Sequence, residues 1–284
     1  MKSELFSVLQ ICIDNSIARI KEFEKVAISV NEAGYYVCIS GGKDSSVIQQ
    51  LCIMAGVKCE FIHNLTSIDH PETVHFIHSE KKRLVDLGYN FRIDIPRDSS
   101  GKQLTMWNGI VKYGLPTQMV RWCCGKLKEF GGVGRYVITG VRWAESPKRK
   151  KRGFHEVSTV NIKDKIIINN DNEMKRRLNE MCVPKQKFIL NPIIDWTDIE
   201  VWEFLKKYNV PVNPLYSKGY KRIGCIGCPM IRTQKIKELN NNPKYKNAYF
   251  KAVQKYFDHR KERNMSNEGV MESPEKYFEW WLGS

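Results

Sequence analysis

Two groups of residues in this chain have the types and spacing for chemistry. The first lies in YYVCISGGKDSS, positions 35–46. An apolar run stops at Ser40, Gly41, Gly42, Lys43, Asp44 and Ser45, and an apolar-periodic segment follows. Glycines let backbone N–H groups approach an oxyanion with no Cβ in the way, and a helix opening there turns its positive end to the same point. Lys43 adds a full charge, and Ser40 and Ser45 add hydroxyl donors. The segment therefore reads as a phosphate-holding loop between strand and helix. It is not a Walker A loop, because Val37 and Asp44 stand where that pattern needs a glycine and a Ser or Thr. Asp44 is a candidate for holding Mg2+ beside the phosphates, or for capping the helix start.

The second group is made of cysteines. Cys123 and Cys124 are adjacent in VRWCCGK, and Cys225 and Cys228 form a C-x-x-C in IGCIGCPM. Four thiolates from two loops can surround one metal centre, and C-x-x-C beside Gly and Pro is common at zinc and iron–sulfur sites. Adjacent side chains diverge, which is awkward for one tetrahedral zinc; a cubane spreads its ligation points and suits the pair better. Zinc and plain reduced thiols stay as alternatives. Cys12, Cys38, Cys52 and Cys59 fall on apolar periodic faces and read as core.

Elements that must position these groups follow from periodicity. Residues 4–30 carry apolar positions at helical spacing. A strand is predicted over Tyr35–Ile39 and a helix over Ser45–Met54, closed by Gly56. Further strands are predicted at Cys59–His63, Phe91–Ile95 and Tyr136–Thr139, with a helix at Val74–Leu87. Thr197 and Glu200 form a capping-box start for a helix over Ile199–Tyr208. Strands alternating with helices predict an α/β fold, Rossmann-like, with a mainly parallel twisted sheet and its ligand at the strands' carboxyl ends. The expected divisions are a helix in residues 1–33, the α/β domain in 34–230 with a basic loop insertion at about 148–187, and a basic helical tail in 231–284. A cysteine-rich C-terminal extension completes the expectation.

Composition sets the outer bounds. Hydrophobic residues are 42% and charged residues 27% of 284, so a packed core is expected. No apolar run approaches the ~20 residues of a membrane span. MKSELFSVLQICIDNS is a poor signal peptide, so the nine cysteines are expected in a reducing, cytoplasmic setting without disulfides. Formal net charge is +15; residues 1–140 hold 17 Lys and Arg against 14 Asp and Glu, and residues 141–284 hold 29 against 17. A basic half points to a polyanionic partner, most often nucleic acid, with a solvated surface as the plainer reading.

SGGKDS in its strand–loop–helix setting resembles the PP-loop of the ATP pyrophosphatase (adenine nucleotide α-hydrolase-like) superfamily. That resemblance implies ATP cut between its α- and β-phosphates, with an acceptor adenylated and AMP then displaced. The spacing of CC and CxxC is similar to the 4Fe–4S pattern of the phosphoadenosine/adenosine phosphosulfate reductase family, within the same superfamily. TSIDHPET at 66–73, ITGVRWAESPKRK at 138–150, NPIIDWTDIEVWEFL at 191–205 and NPLYSKGYKRIGCIGCP at 213–229 agree, so the likeness covers about residues 34–230. It implies that Ser40, Gly41, Gly42, Lys43, Asp44 and Ser45 bind nucleotide phosphates, and that Gly140, Arg142, Glu145 and Ser146 belong to the nucleotide site. Arg142 would pair with a phosphate or the transferred group, Lys126 would place charge near cluster and substrate, and Cys123, Cys124, Cys225 and Cys228 would hold the cluster.

The pattern departs from the reductases at one place. Those enzymes use a cysteine near the C-terminus as thiol nucleophile, and no cysteine follows Cys228 here. Cys182 is a weak substitute. What remains resembles the reductase-like ATP pyrophosphatases that put sulfur into nucleic acid, as in DNA phosphorothioation and tRNA thiolation. In that reading the partners are an adenine nucleotide, DNA or tRNA, and a cysteine desulfurase as sulfur donor. KRKKR at 148–152, with Lys185, Lys187, Lys218, Lys221 and Arg222, would hold the backbone in a salt-dependent way. An adenylyl-sulfate or phosphoadenylyl-sulfate reductase using an external thiol is the first alternative, and a non-enzymatic zinc protein that binds nucleic acid is the second. His75 and His78 read as a solvated helix face, and the terminal tryptophan pair as a docking point for the tail.

Overall fold

The computed structural model describes residues 2–147, 149–158, 166–168, 187–265 and 272–283. Its contacts divide the chain into two units.

The first unit comprises Met1–His63, His75–Ile93 and Gly132–Ile223. Its heart is β1, Tyr35–Cys38, an almost wholly buried run of aromatic and β-branched residues of the kind found in strands covered on both faces. β1 lies parallel to β2 (Cys59–Asn64) on one side and to β4 (Tyr136–Ile138) on the other. With β3 (Asn90–Asp94), β5 (His155–Ser158), β6 (Ile166–Ile168) and β7 (Lys187–Leu190), the sheet has seven strands in the order β3-β2-β1-β4-β7-β5-β6. β4 and β7 are parallel, whereas β5 is antiparallel to both β7 and β6. Chain order runs outward from β1 in opposite directions, so the crevice beyond β1 and β4 is the switch point where doubly wound sheets take ligands.

The mainly parallel α/β sheet agrees with the sequence expectation, but its far edge does not. β5 and β6 occupy part of the stretch expected as a loop insertion. β5 escapes a periodicity search because its polar residues point inward: His155 and Glu156 are both 0% exposed. Glu156 is held there by Arg152 and by the Gly153 amide at 3.1 Å. Lys148, residues 159–165 and residues 169–186 of the insertion, Cys182 and Lys185 among them, lie outside the described residues.

Helices cover the sheet. The single predicted N-terminal helix is two, α1 (Lys2–Glu22) and α2 (Glu24–Val30), broken at Phe23. Phe23 is buried, and its ring lies 5.1 Å from His155 and 5.8 Å from Tyr136. α3 (Lys43–Ala55) ends at Gly56 with φ of 65°, a left-handed cap that costs glycine nothing. α4 (Pro71–Asp86) carries His75 and His78, both exposed. α6 (Asp198–Lys207) opens with the predicted Thr197–Glu200 capping box.

The second unit comprises Asn64–Val74, Asp94–Gly131 and Gly224–Ser284. Its elements are α5 (Met106–Tyr113), a π-helical turn at Cys124–Lys128, α7 (Arg232–Asn241), α8 (Pro243–Glu262) and α9 (Pro274–Gly283). Residues 231–284, expected as a basic helical tail, group in this unit with both cysteine segments. Trp122, Leu127, Cys225 and Ile226 from the two cysteine segments share one core with Tyr249, Val253, Phe278 and Trp281 from α8 and α9. Trp281 is 0% exposed, donates its indole N–H to Pro116 O at 2.7 Å, and lies under the Lys235 ammonium, 4.7 Å from its ring centre. Trp280 stays half out, stacked on Tyr277. No helix among the described residues is long and apolar enough to cross a membrane.

Candidate functional site

The glycine loop leaves β1 and opens α3, as the residue types require. Gly41 has φ of 75°, a conformation that favours glycine, and Gly42 is the extended N-cap of α3. Ser45 donates its hydroxyl to Gly42 O at 2.7 Å, and the Gly42 amide donates to Ser40 Oγ at 3.3 Å, so the loop closes on itself. Two residues from 213–216 brace it. Asn213 donates to Gly41 O at 3.2 Å, and the Lys43 amide donates to the Tyr216 hydroxyl at 2.8 Å. Burial pushes the Tyr216 phenol up to about 12, so it stays protonated near neutral pH.

Around Lys43 the structure assembles a four-charge knot. The Lys43 ammonium lies 3.2 Å from Asp44 Oδ2 and 3.2 Å from Asp198 Oδ1. Arg142 donates from Nε to Asp44 Oδ1 at 2.7 Å, from Nη2 to Asp198 Oδ1 at 2.7 Å, and from Nη1 to Trp196 O at 3.1 Å. Burial alone would raise the Asp198 carboxyl, but Arg142 and Lys43 outweigh it and hold the group below the usual carboxylate range. Gly140, just past β4, makes the knot possible: a Cβ there would meet Asp44 backbone C and O at 3.0 Å. The Glu145 carboxylate accepts from the Arg142 amide at 3.1 Å and pairs with Arg149, whose amide donates to Ser146 O at 2.9 Å.

Arg142 is 1% exposed, and its Nε, Nη1 and Nη2 each donate to a protein acceptor, so in this geometry it ties Asp44 to Asp198. Both Asp44 oxygens already accept charged donors, and no group of three or more His, Cys, Asp or Glu among the described residues is arranged to hold a metal ion. Mg2+ is commonly held by one or two carboxylates together with substrate phosphates, and Asp44 and Asp198 are the carboxylates beside Lys43. Asp198, Tyr216 and Asn213 were missed as site residues, although all three lie in stretches singled out above; only folding shows that they turn toward the loop.

In the second unit the four cysteines line one cavity, together with Thr66, Ile68, Met106, Leu127, Lys128 and Tyr249. The π-helical turn presents the adjacent pair, with the Glu129 amide donating to Cys124 O at 2.9 Å. Cys123 keeps its proton and donates to Cys124. That bond, against the cost of burial and with help from Lys128 and Arg121, lowers the Cys124 thiol to about 6. Burial pushes Cys225 up, although Lys128 and Thr66 pull the other way. Lys128 faces Cys225, Asp69 and Cys228, and their negative potential raises its ammonium above the ordinary value. Lys126 and Lys128 are both exposed; Lys128 lines the cavity, whereas the Lys126 ammonium lies 5.0 Å from the Tyr113 ring centre. Two residues of helical offset separate the two positions, and sequence alone does not reveal a π turn. Four cysteines and a lysine thus line one cavity, although no group of three or more His, Cys, Asp or Glu among the described residues is arranged to hold a metal ion.

A Rossmann-like sheet with a glycine loop at its switch point defines a nucleotide-binding α/β protein of the PP-loop type. The phosphoadenosine phosphosulfate reductase domain matches residues 34–231. The chain belongs to that family, within the PP-loop ATP pyrophosphatase superfamily. It is 27% identical over 200 residues to an adenosine 5'-phosphosulfate reductase of Staphylococcus haemolyticus, covering 68% of this chain and 69% of that one. An uncharacterized protein of Methanocaldococcus jannaschii is 27% identical over 262 residues, 84% of this chain and 55% of its own length. A second from the same organism is 25% identical over 85% of this chain and 45% of its own. The chain thus spans about half the length of those two relatives. Among solved structures, Candida glabrata FMN adenylyltransferase in complex with FAD and inorganic pyrophosphate shares the fold, with TM-score 0.50 and 15% identity over 78% of this chain and 65% of that one.

Proposed function

We propose that this chain is an ATP pyrophosphatase that adenylates an oxygen of a nucleic-acid substrate, DNA or tRNA, so that sulfur can replace it. The observation that carries the reading is the Ser40–Ser45 loop, braced by Tyr216 and Asn213, opening α3 with Lys43 at the sheet's switch point. An acceptor oxygen attacks the α-phosphorus of ATP, the bond to the bridging oxygen breaks, and pyrophosphate leaves with its electron pair. The Lys43 ammonium and the positive N-terminal end of α3 would take up the charge that develops on pyrophosphate. No enzyme nucleophile is needed; positioning and charge stabilisation suffice. A sulfur nucleophile then displaces AMP from the activated carbon or phosphorus. Magnesium, where present, arrives on the phosphates.

Cys123, Cys124, Cys225 and Cys228 would hold the 4Fe–4S cluster, with Lys128 as counter-charge. When bound, such a cluster supplies a sulfur-carrying or electron-transferring centre. A cysteine desulfurase is the proposed sulfur source, and the cytoplasm the proposed compartment. The adenosine 5'-phosphosulfate reductase named above, 27% identical over two thirds of both chains, supports the reductase reading.

Pyrophosphate release from ATP, measured with and without DNA or tRNA, tests the first reading. Release stimulated by nucleic acid supports it. Sulfite formed from adenylyl sulfate and thioredoxin, without such release, replaces it with the second. Anaerobic purification tests the cluster: a brown protein with about four irons per chain is expected, and a colourless one holding a single zinc overturns that part.

A further inference from the structure

A groove in the second unit is used by neither site. α5 and α8 form its walls, and it encloses about 370 Å3 between Thr105, Trp107, Asn108, Val111, Ala248, Lys251, Ala252 and Lys255. That is within the ~300–1,000 Å3 of ligand sites. Ala248 and Ala252, four apart on α8, leave the space where longer side chains would close it. Trp107 forms one wall. It is half-buried and held edge-on against Tyr249 at 5.2 Å, so its orientation is set by packing. The Asn108 side chain is committed to capping: Oδ1 accepts from the Thr105 amide at 2.7 Å, and Nδ2 donates to Gln103 O at 2.8 Å.

Lys251 and Lys255 stand over this groove. Both are exposed, and neither ammonium has an ion-pair or hydrogen-bond partner among the described residues. Two lysines at i and i+4 share a helix face and repel each other, which weakens the helix unless an anion bridges them. An aromatic wall beneath two unpartnered cations matches the recognition of single-stranded nucleic acid, whose bases stack while flanking phosphates meet positive charge.

We infer that the α5–α8 groove is a binding site for a single-stranded nucleic-acid segment, with one base against Trp107 and its flanking phosphates on Lys251 and Lys255. A duplex does not fit, because its bases are stacked internally and have no face to offer. The inference rests on the nucleic-acid part of the proposed function and gives it an address on the surface. It does not depend on ATP chemistry.

The test uses the whole protein and a short fluorescein-labelled single-stranded oligonucleotide, followed by anisotropy across a salt series without nucleotide. Lys251→Gln with Lys255→Gln should weaken binding on the order of tenfold, and should flatten the slope of log K against log salt by about 1.4, since each single-strand phosphate contact contributes about 0.7. Trp107→Leu keeps apolar bulk and should cost about tenfold in affinity through lost stacking. If Trp107→Leu does not fold, the exposed lysine pair still decides. Wild-type affinity and slope in the double lysine variant overturn the inference, as does a duplex that binds as tightly as the single strand. Groove-dependent binding without pyrophosphate release would leave the site standing and remove the sulfur-transfer reading; pyrophosphate release without groove-dependent binding would do the reverse.

Discussion

Replacing Arg142 by Met removes one cation from the knot around Lys43 and leaves its acceptors in place. Three hydrogen bonds go, two of them to carboxylates at 2.7 Å and one to Trp196 O. Truncating one partner of a buried ion pair costs roughly 3–5 kcal/mol, because the other charge stays behind. Here Lys43 still faces Asp44, and the Asp198 side chain is 68% exposed, so solvent covers part of the loss. About 3 kcal/mol is expected, which lowers the melting temperature by about 6–12 °C for a chain of this size. The loss must depend on pH. Asp198 is held below its unfolded value of about 3.9, so its pairing stabilises the fold above that pH and is lost as pH falls through the lowered value. The gap between wild type and Arg142→Met should be full at pH 7 and narrow below about pH 4. Charge supplies a second readout. Lys43 and Arg142 balance Asp44 and Asp198, and the variant leaves a net negative charge where a triphosphate is proposed to sit. ATP affinity should fall more than stability alone predicts, measured on protein that is still folded. Melting within 2 °C of wild type, or a gap that persists in acid, would refute the positioning role.

Other outcomes follow from the same geometry. Lys43→Ala should weaken ATP binding about tenfold or more in calorimetry, since the bound phosphates lose a full charge at the loop. Gly140→Ala places a methyl group 3.0 Å from the Asp44 backbone and should reduce ATP affinity while the sheet stays folded by circular dichroism; unchanged affinity would show that the approach of β4 to the loop is slack. His155 is lowered to about 4 by burial, against the pull of Glu156, so the unfolded chain binds its proton first as pH falls. Stability should therefore drop by about 3 kcal/mol between pH 6.5 and 4, and His155→Phe should remove that part of the slope in urea titrations. Cys225→Ser, at a buried position on the cavity wall, should abolish anaerobic iron incorporation by colour and iron assay; full iron content in that variant would exclude Cys225 as a ligand.

Much of the candidate site is legible along the chain because its signals are local. A glycine pair between an apolar run and a helical period predicts β1, the loop and α3, and the observed helix begins two residues before the predicted start. The capping box at Thr197 and Glu200 is equally local. β5 is not legible, because a strand with two buried polar residues carries no alternation. Residues 231–284 are basic in mean composition, and only the placement of Tyr249, Val253, Phe278 and Trp281 reveals their inward face.

The amino-acid sequence by itself determined the parallel sheet, the phosphate-type loop and the two cysteine pairs, since each depends on residues within a few positions of one another. Tertiary structure alone decided that Arg142 serves Asp44 and Asp198, that Tyr216 and Asn213 brace the glycines, that Lys128 faces the cysteines and Lys126 does not, and that α8 builds a groove with α5. These are contacts between segments tens to more than a hundred residues apart. Their geometry is set by how helices and strands pack, and that packing leaves no periodic trace in the chain.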